Sequence, residues 1–186
     1  MLRIIGGSFK GRLIKAPEGA GTRPTSSRVR EAAFDILSPG IAGARFLDLY
    51  AGSGAVGIEA LSRGASFSVF VESDGRAASL LDDNIRKLGI SSSAGVLRMT
   101  AEKALHELAG ESPGFDVVFM DPPYRNDQIE KILVLLSVPG FLAKGALVII
   151  EHATKKKPGI TGCFREIKSY KYGDSSLLLA GKAGEP

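Results

Sequence analysis

Apolar and amphipathic segments alternate through most of the chain, and this alternation restricts the fold more than any other feature of the sequence. Runs typical of buried strands lie at 46–49, 67–71, 96–99, 115–120 and 146–150, and stretches with helical periodicity lie between them at 55–63, 75–88, 101–109 and 128–136. Alternation at this spacing predicts right-handed strand–helix–strand units. We therefore predict an α/β fold with a mostly parallel sheet and helices on both faces.

The C-terminal part departs from this pattern. Residues 164–172 and 176–180 are strand-like runs separated by only three residues. Because a parallel crossover needs a dozen or more residues, the two runs are predicted to form an antiparallel pair. With the five earlier strands, this pair completes a predicted sheet of seven strands.

The N-terminal part also departs from it. Residues 1–24 are short, glycine-broken runs that predict a β-hairpin, and 28–37 predicts an amphipathic helix with Ser27 as its N-cap. We therefore divide the chain into a basic hairpin and helix extension (1–40) and a larger domain (41–186).

Composition excludes several classes of protein. The chain has 186 residues, of which 44% are hydrophobic and 24% charged, which is typical of a globular protein and not of a disordered one. A single cysteine excludes an internal disulfide and a multi-cysteine zinc site, and the two histidines have no metal-binding spacing. No apolar run has the length of a membrane span, and the first residues lack the apolar core of a signal peptide. We expect a cytoplasmic protein without a metal.

A glycine-rich turn follows the first strand of the alternating region. Gly52, Gly54 and Gly57 have the spacing G-x-G-x-x-G, and a predicted helix begins within this segment. Glycine allows the backbone to approach a ligand, and a helix N-terminus offers unpaired N–H groups. Glu72 ends the second strand 20 positions after Gly52, where an acidic residue can bind ribose hydroxyls. The segment therefore predicts a loop that binds a nucleoside or nucleotide, with a ligand-free glycine turn as the alternative.

Asp48, near the end of the same strand, distinguishes between ligands. A carboxylate is unfavourable beside a pyrophosphate because like charges repel, but it suits a ligand with a positive amino group. S-adenosylmethionine has such a group, a ribose and no phosphate. The alternative is a capping or surface carboxylate. The predicted cofactor contacts are Asp48 for the methionine end, Gly52 and Gly54 beneath the ligand, Glu72 for the ribose, and Thr100 and Ala101 beside the adenine.

The fourth strand runs directly into Asp121-Pro122-Pro123-Tyr124. The prolines remove backbone donors, and an ionised aspartate only accepts hydrogen bonds, so this segment is a rigid set of acceptors beside an aromatic ring. A primary amine on a planar base has two N–H donors and a π-face. We predict that Asp121 and the Pro122 carbonyl hold the amine and that Tyr124 stacks on the base. In this arrangement Asp121 stabilises the positive charge that develops as the amine is methylated.

Taken together, these segments resemble the bacterial RsmD family of class I S-adenosylmethionine-dependent methyltransferases over nearly the whole chain. The matching segments are RIIGG (3–7), KGR (10–12), TRPTSSRVREAAFDIL (22–37), LDLYAGSGAVGIEALSRGA (47–65), VESD (71–74) and DPPY (121–124). The resemblance implies a Rossmann-like fold and methylation of guanine N2 in small-subunit (16S) ribosomal RNA, within the small subunit or its assembly intermediate. It also implies that Arg23, Pro24 and Thr25 lie near the cofactor and the target base.

Positive charge is concentrated in the segment that would then contact RNA. Residues 1–30 hold seven basic residues and one acidic residue, whereas the other 156 residues hold 17 basic and 19 acidic ones. Basic side chains contact phosphates independently of sequence. The predicted RNA contacts are Arg3, Lys10, Arg12, Arg23, Thr25, Arg28 and Arg30. A solvated charged hairpin is the alternative, and a solvated run is the preferred interpretation of Lys155, Lys156 and Lys157.

Three other functions stay open on the residues alone. DPPY also accepts the amine of adenine, so an adenine-N6 methyltransferase of DNA or RNA is one alternative. An NAD-dependent oxidoreductase fits the glycine spacing and Glu72 but not Asp48. A non-catalytic RNA-binding protein does not explain DPPY. His152, at a strand end, is a candidate pocket residue, and a monomer is the expected state.

Overall fold

The structure is a computed structural model that describes residues 1–16, 26–38, 40–110, 114–122, 126–161 and 163–184. Its strands are β1 (Leu2–Arg3), β2 (Leu13–Ile14), β3 (Arg45–Leu49), β4 (Phe67–Val71), β5 (Ala94–Leu97), β6 (Phe115–Met120), β7 (Leu142–Ala153), β8 (Phe164–Tyr172) and β9 (Ser175–Lys182). Its α-helices are α1 (Ser27–Leu37), α2 (Ala55–Ser62), α3 (Gly75–Leu88), α4 (Ala101–Leu108) and α5 (Asn126–Leu136). Within these ranges, no helix is long and apolar enough to cross a membrane.

The main sheet has seven strands in the order β5-β4-β3-β6-β7-β9-β8. The pairs among β5, β4, β3, β6 and β7 are all parallel, and β9 is antiparallel to both β7 and β8. The predicted mostly parallel sheet with an antiparallel C-terminal pair is therefore confirmed. Strand order reverses between β3 and β6, and open sheets of this kind bind ligands in the crevice at that reversal, beyond the carboxyl ends of the strands.

Alternating side chains divide the core between the two faces of the sheet. Phe46, Phe119 and Ile149 pack in a cluster with the hairpin and helices α1, α2 and α3, and we call this the hairpin face. The residues that alternate with these along the same strands, such as Leu47 and Ile150, point to the opposite side of the sheet. They pack with helices α4 and α5, and we call this side the α4/α5 face.

The N-terminal segment belongs to the hairpin-face core. Strands β1 and β2 pair antiparallel as predicted, with Leu2 opposite Ile14. Ile4, Ile14 and Phe34 are buried in the same cluster as Phe46, and the rings of Phe34 and Phe46 are stacked at 6.3 Å. The hairpin and α1 are therefore packed on the sheet rather than projecting from it.

Several predicted boundaries differ from the structure, and the largest difference is at β7, which covers 142–153 rather than 146–150. Strand β5 covers 94–97 rather than 96–99, because it pairs with β4 residue by residue from Ser68 opposite Ala94 to Val71 opposite Leu97, where β4 ends. The N-cap of α1 is Ser26, whose side chain accepts the Val29 N–H at 3.2 Å, and not Ser27, which is the first helical residue.

Candidate active site

The neighbouring strands β4, β3 and β6 end at one level, and β7 passes this level three residues before its own end. Leu49 of β3 pairs with Val71 of β4 and with Met120 of β6, and Met120 pairs with Ile150 of β7. The residues that directly follow these four positions therefore start side by side along one edge of the sheet. They are Tyr50, Glu72, Asp121 and Glu151.

The loop after β3 has a strained conformation. Tyr50 has a φ of 65°, which is unfavourable for a residue with a side chain, and Gly52 and Gly54 also have positive φ values. A Cβ atom on Gly52 would meet no heavy atom within 4 Å, so this glycine borders open space. A Cβ atom on Gly54 would lie 2.2 Å from Leu81 Cδ1, so that glycine is needed for packing against α3. The loop thus leaves its backbone accessible at Gly52, as a ligand-binding loop requires.

Glu72 connects this loop to the end of β4. Its Oε2 accepts the Gly52 N–H at 2.8 Å, and its Oε1 accepts the Asp74 N–H at 2.7 Å. Each carboxylate oxygen has a second lone pair, and Glu72 is only partly buried. The side chain can therefore brace the loop and also accept a hydrogen bond from a ligand hydroxyl.

Asp48 lies beneath the loop and is 2% exposed. Its Oδ2 accepts the Gly57 N–H at 2.8 Å, which satisfies one of the unpaired donors in the first turn of α2. Burial raises the pKa of Asp48 to about 7, an effect opposed by the Gly57 hydrogen bond and reinforced by the charge of Glu72. Asp48 is therefore a capping carboxylate and not a surface one, and its enclosure favours a nearby positive charge.

Thr100 and Ala101 begin helix α4. Thr100 is exposed and accepts the Lys103 N–H at 3.4 Å as the helix N-cap, whereas Ala101 is buried. The Glu72 N–H donates to the Leu97 carbonyl at 3.1 Å, so the end of β5 lies beside Glu72. That these two residues border an adenine stays a prediction.

Asp121 and Pro122 lie at the centre of the strand edge, directly after β6. Asp121 is partly buried and Pro122 is buried. Five residues of the predicted site lie outside the described residues: Arg23, Pro24, Thr25, Pro123 and Tyr124.

The prediction that Arg30 contacts RNA is wrong. Arg30 is 1% exposed, and its Nη2 donates to the Arg3 carbonyl at 2.6 Å. Its Nε lies 3.7 Å from Glu59 Oε2, and Glu59 is completely buried. Burial lowers the pKa of the Arg30 guanidinium, while Glu59 raises it. Arg30 therefore holds the hairpin on α2 and is not accessible to a phosphate.

The other predicted cations among the described residues, Arg3, Lys10, Arg12 and Arg28, are exposed but lie in two places. Arg12 Nη2 donates to the carbonyl of Lys87, in the last turn of α3, and the Phe9 N–H donates to Ser62 at the end of α2. Both helices start at the carboxyl edge of the sheet and run away from it. Arg3, Lys10 and Arg12, which belong to this hairpin, therefore lie at the far end from the candidate site.

Arg28 lies nearer the site. Helix α1 runs in the same direction as α2, since Arg30 contacts Glu59 and Phe34 lies under Arg63, one turn further along each helix. Arg28 precedes Arg30 and is exposed at the start of α1, on the side of the carboxyl edge. The basic segment is thus spread along the length of the helices rather than gathered around the site.

Three residues of structural or chemical importance were not predicted from the sequence. Glu59 is a carboxylate within the apolar helix AVGIEALS, and this contrast was the available signal. Glu151 is 7% exposed, and it directly follows the last paired residue between β6 and β7 on its strand, as Asp121 does on β6. Tyr50 has a buried hydroxyl without a hydrogen-bond partner among the described residues, and burial together with Glu102 raises its pKa to about 12.

The two weaker candidates are placed as follows. His152 is 8% exposed, its Nδ1 lies 2.9 Å from the Ala153 carbonyl oxygen, and strand alternation places it on the α4/α5 face with Ile150. Lys155, Lys156 and Lys157 are exposed, and Lys157 forms an ion pair with Glu166 at 2.6 Å. Among the described residues, no group of three His, Cys, Asp or Glu side chains could hold a metal ion.

Comparisons with known proteins agree with this architecture. Residues 2–181 match the family described as conserved hypothetical protein 95. The chain is 37% identical over 184 residues to the putative rRNA methyltransferase YlbH of Bacillus subtilis, covering 98% of this chain and 100% of that protein. It is 41% identical over 150 residues to ribosomal RNA small subunit methyltransferase D of Escherichia coli, covering 81% of this chain and 74% of that protein.

A solved structure shows the same fold over the full length. The putative methyltransferase yhhF from Escherichia coli superposes with a TM-score of 0.84 at 33% identity, covering 99% of both chains. The sequence matches and this structural match extend across both the N-terminal segment and the sheet. The chain therefore belongs to the conserved hypothetical protein 95 family, that of the ribosomal RNA small subunit methyltransferase D (RsmD) proteins.

Proposed function

We propose that this protein transfers a methyl group from S-adenosylmethionine to the exocyclic N2 amine of a guanine in small-subunit ribosomal RNA. The observation that supports this most is the pairing of β3 with β6, which sets the acceptors Asp121 and Pro122 beside the loop that Asp48 and Glu72 brace. The relatives named as ribosomal RNA methyltransferases support the substrate class.

The residues around the loop fit S-adenosylmethionine. Gly52 borders open space for the ligand, Glu72 has acceptor capacity for ribose hydroxyls, and Asp48 offers a buried carboxylate to the positive amino group. Thr100 and Ala101 are the proposed border of the adenine. When bound, the cofactor supplies an electrophilic methyl group on a sulfonium sulfur, which leaves with the electron pair of the broken C–S bond as S-adenosylhomocysteine.

Asp121, Pro122 and Tyr124 are the proposed catalytic residues. Asp121 and the Pro122 carbonyl each accept a hydrogen bond from one N–H group of the amine. This arrangement directs the nitrogen lone pair toward the methyl group. The nitrogen becomes positive as it forms the new C–N bond, and the carboxylate of Asp121 stabilises that charge until a proton is released to water. Tyr124 stacks on the base, and fixed positioning of both reactants supplies much of the rate.

RNA is held by the exposed basic residues. Because a paired guanine hides its N2 edge, the target base lies in a loop or is turned out of its helix. Arg23, Thr25 and Arg28 are the proposed contacts near the target, and Arg3, Lys10 and Arg12 contact phosphates further away. The proposed setting is the cytoplasm, with a monomer acting on the small ribosomal subunit or its assembly intermediate.

Mass mapping of methylated nucleosides tests this function. Ribosomal RNA from cells that lack the protein should lose one N2-methylguanosine, and purified protein with S-adenosylmethionine should restore it. Asp121→Ala should lower the rate of methyl transfer at least about 100-fold, while calorimetry should still detect S-adenosylmethionine binding. Loss of an N6-methyladenosine instead would identify adenine rather than guanine as the target base. An unchanged nucleoside pattern would reject ribosomal RNA as the substrate.

A further inference from the structure

Glu151 is the carboxylate nearest to Asp121 in the strand register. Met120 and Ile150 are paired in the parallel strands β6 and β7, so the residues that follow them, Asp121 and Glu151, lie at the same level. Neighbouring strands are about 4.8 Å apart, and side chains that start this close to each other can converge on one ligand. The two carboxylates therefore start from positions that could serve one planar ligand.

Both side chains are placed on the same face of the sheet. Glu151 is two residues after Ile149 and is paired with Leu177 of β9, and both of these pack in the hairpin-face cluster. Asp121 is two residues after Phe119, which packs in the same cluster. Asp48, paired with Phe119, shares this face. Glu151 is thus on the side of the sheet that carries the braced glycine loop.

The burial of Glu151 is unusual for its residue type. It is 7% exposed, Ile149, Ile150 and its strand partner Leu177 are buried and apolar, and the next residue, His152, is also buried. Glutamate is rarely enclosed in this way, because removing its charge from water is costly. At the point of β7 that lies level with Asp121, such a carboxylate is suited to a ligand that donates hydrogen bonds.

We infer that Glu151 selects guanine by accepting the hydrogen bond of guanine N1–H while Asp121 holds the N2 amine. This inference rests on the proposed function and names the base-selecting residue of its site. Guanine presents N1–H and N2–H2 side by side, which match two adjacent acceptors. Adenine carries an unprotonated N1 that only accepts, so its lone pair would face the carboxylate of Glu151 without a donor between them.

Purine analogues separate this role from a structural one. 2-Aminopurine keeps the amine of guanine but has an unprotonated N1, and inosine keeps N1–H but lacks the amine. We would place guanine, 2-aminopurine or inosine at the mapped target position of a short RNA. Transfer is measured with guanine and 2-aminopurine, and equilibrium binding without cofactor is measured with all three.

The wild-type protein should methylate guanine about 10- to 100-fold faster than 2-aminopurine and should bind the guanine RNA more tightly than the 2-aminopurine RNA. Glu151→Gln offers both an acceptor and a donor. It should lower the rate on guanine, raise the rate on 2-aminopurine relative to guanine, and reduce both differences to within about threefold. Glu107→Gln, at an exposed position of α4, is the matched control and should preserve both differences.

The outcomes decide between the two proposals. If Glu151→Gln slows both bases equally, Glu151 is structural and the inference fails, while guanine methylation by the wild type keeps the proposed function. If the variant does not fold, the wild-type comparison decides alone, since equal rates on guanine and 2-aminopurine overturn the role of Glu151. If the wild type methylates no guanine in ribosomal RNA, the proposed function itself fails.

Discussion

Asp48 shows how one residue serves both folding and ligand binding. Its carboxylate caps the first turn of α2 through the Gly57 N–H, and its burial raises its pKa from 3.8 to about 7. The folded protein therefore binds more protons than the unfolded chain between about pH 4 and pH 7. In this window the Asp48 contribution to the free energy of unfolding falls as the pH rises.

The same pKa predicts the pH dependence of cofactor binding. A positive amino group is attracted by ionised Asp48, so the affinity for S-adenosylmethionine should rise up to tenfold per pH unit below pH 7 and level off above it. Calorimetry between pH 5.5 and 8.5 measures this slope. Asp48→Asn, whose amide oxygen can still accept the Gly57 N–H, should abolish it. 5′-Methylthioadenosine lacks the positive amino group of the methionine part of the cofactor. A similar slope with that ligand would contradict the proposed role of Asp48.

Tyr50 allows a second prediction at this scale. Its hydroxyl is buried without a hydrogen-bond partner among the described residues, which costs free energy. Tyr50→Phe keeps the packing of the ring and should raise the free energy of unfolding by about 1 kcal/mol in urea denaturation. Tyr50→Ala, which also removes the ring, should instead lower it. A Tyr50→Phe variant that is clearly less stable than the wild type would show that the hydroxyl has a partner.

At the scale of elements, Glu59 joins the hairpin to α2. Its carboxylate accepts the N–H groups of Ile5 at 2.8 Å and Gly6 at 2.7 Å, and Arg63 Nε at 2.9 Å, while Arg30 lies beside it. Two backbone donors and two guanidinium groups thus depend on one buried carboxylate. The docking of the hairpin on α2 depends on this polar cluster as well as on the apolar core.

Removal of this carboxylate should be strongly destabilising. Glu59→Ala leaves the buried Arg30, the partly buried Arg63 and two N–H groups without this acceptor, and it should lower the free energy of unfolding by about 3–5 kcal/mol. Glu107→Ala, at an exposed site, should change it by less than about 0.5 kcal/mol. Urea denaturation measures both, and hydrogen exchange should show faster exchange at Ile5 and Gly6 in Glu59→Ala. Unchanged exchange at these amides would mean that the hairpin is held by apolar contacts alone.

Two glycines in helical positions form a matched pair. A Cβ atom on Gly57 would lie 2.3 Å from Phe70 Cε1 and 2.7 Å from Ser68 Oγ, whereas one on Gly75 would meet nothing within 4 Å. Gly57→Ala should therefore lower the free energy of unfolding by about 1–3 kcal/mol through overpacking of α2 on β4. Gly75→Ala should raise it by about 0.5–1 kcal/mol. Equal effects of the two substitutions on the urea midpoint would show that α2 can move away from β4.

The elements were predictable because they follow from local periodicity, whereas contacts between distant segments were not. Strand alternation and the short link between the last two predicted strands indicated a mostly parallel sheet with an antiparallel pair, but no local pattern connects Glu59 with Ile5 or Glu151 with Asp121. Arg30 is an instructive error. It precedes Phe34 and Leu37 by four and seven residues, which places it on the buried stripe of α1, whereas its charge alone predicts exposure.

Across the whole molecule, the exposed cations are separated by the length of the helices. Helix α3 has 14 residues and a length of about 21 Å, and Arg12 lies at its far end from the candidate site. Arg28 lies on the side of the site. A short RNA at the site can therefore reach Arg28 but not Arg12, whereas a ribosomal RNA of full length can reach both.

Binding measured against salt concentration tests this arrangement. With a short RNA that carries the target, Arg28→Ala should reduce the magnitude of the salt slope of log K by about 1, while Arg12→Ala should leave it unchanged. With full-length small-subunit RNA, each substitution should reduce it by about 1. Lys103→Ala, an exposed change on α4 across the sheet, is the matched control and should have no effect on either RNA. If Arg12→Ala alters the slope for the short RNA as much as Arg28→Ala does, the RNA path runs over the hairpin directly into the site, and the separation of the two cations has no functional meaning.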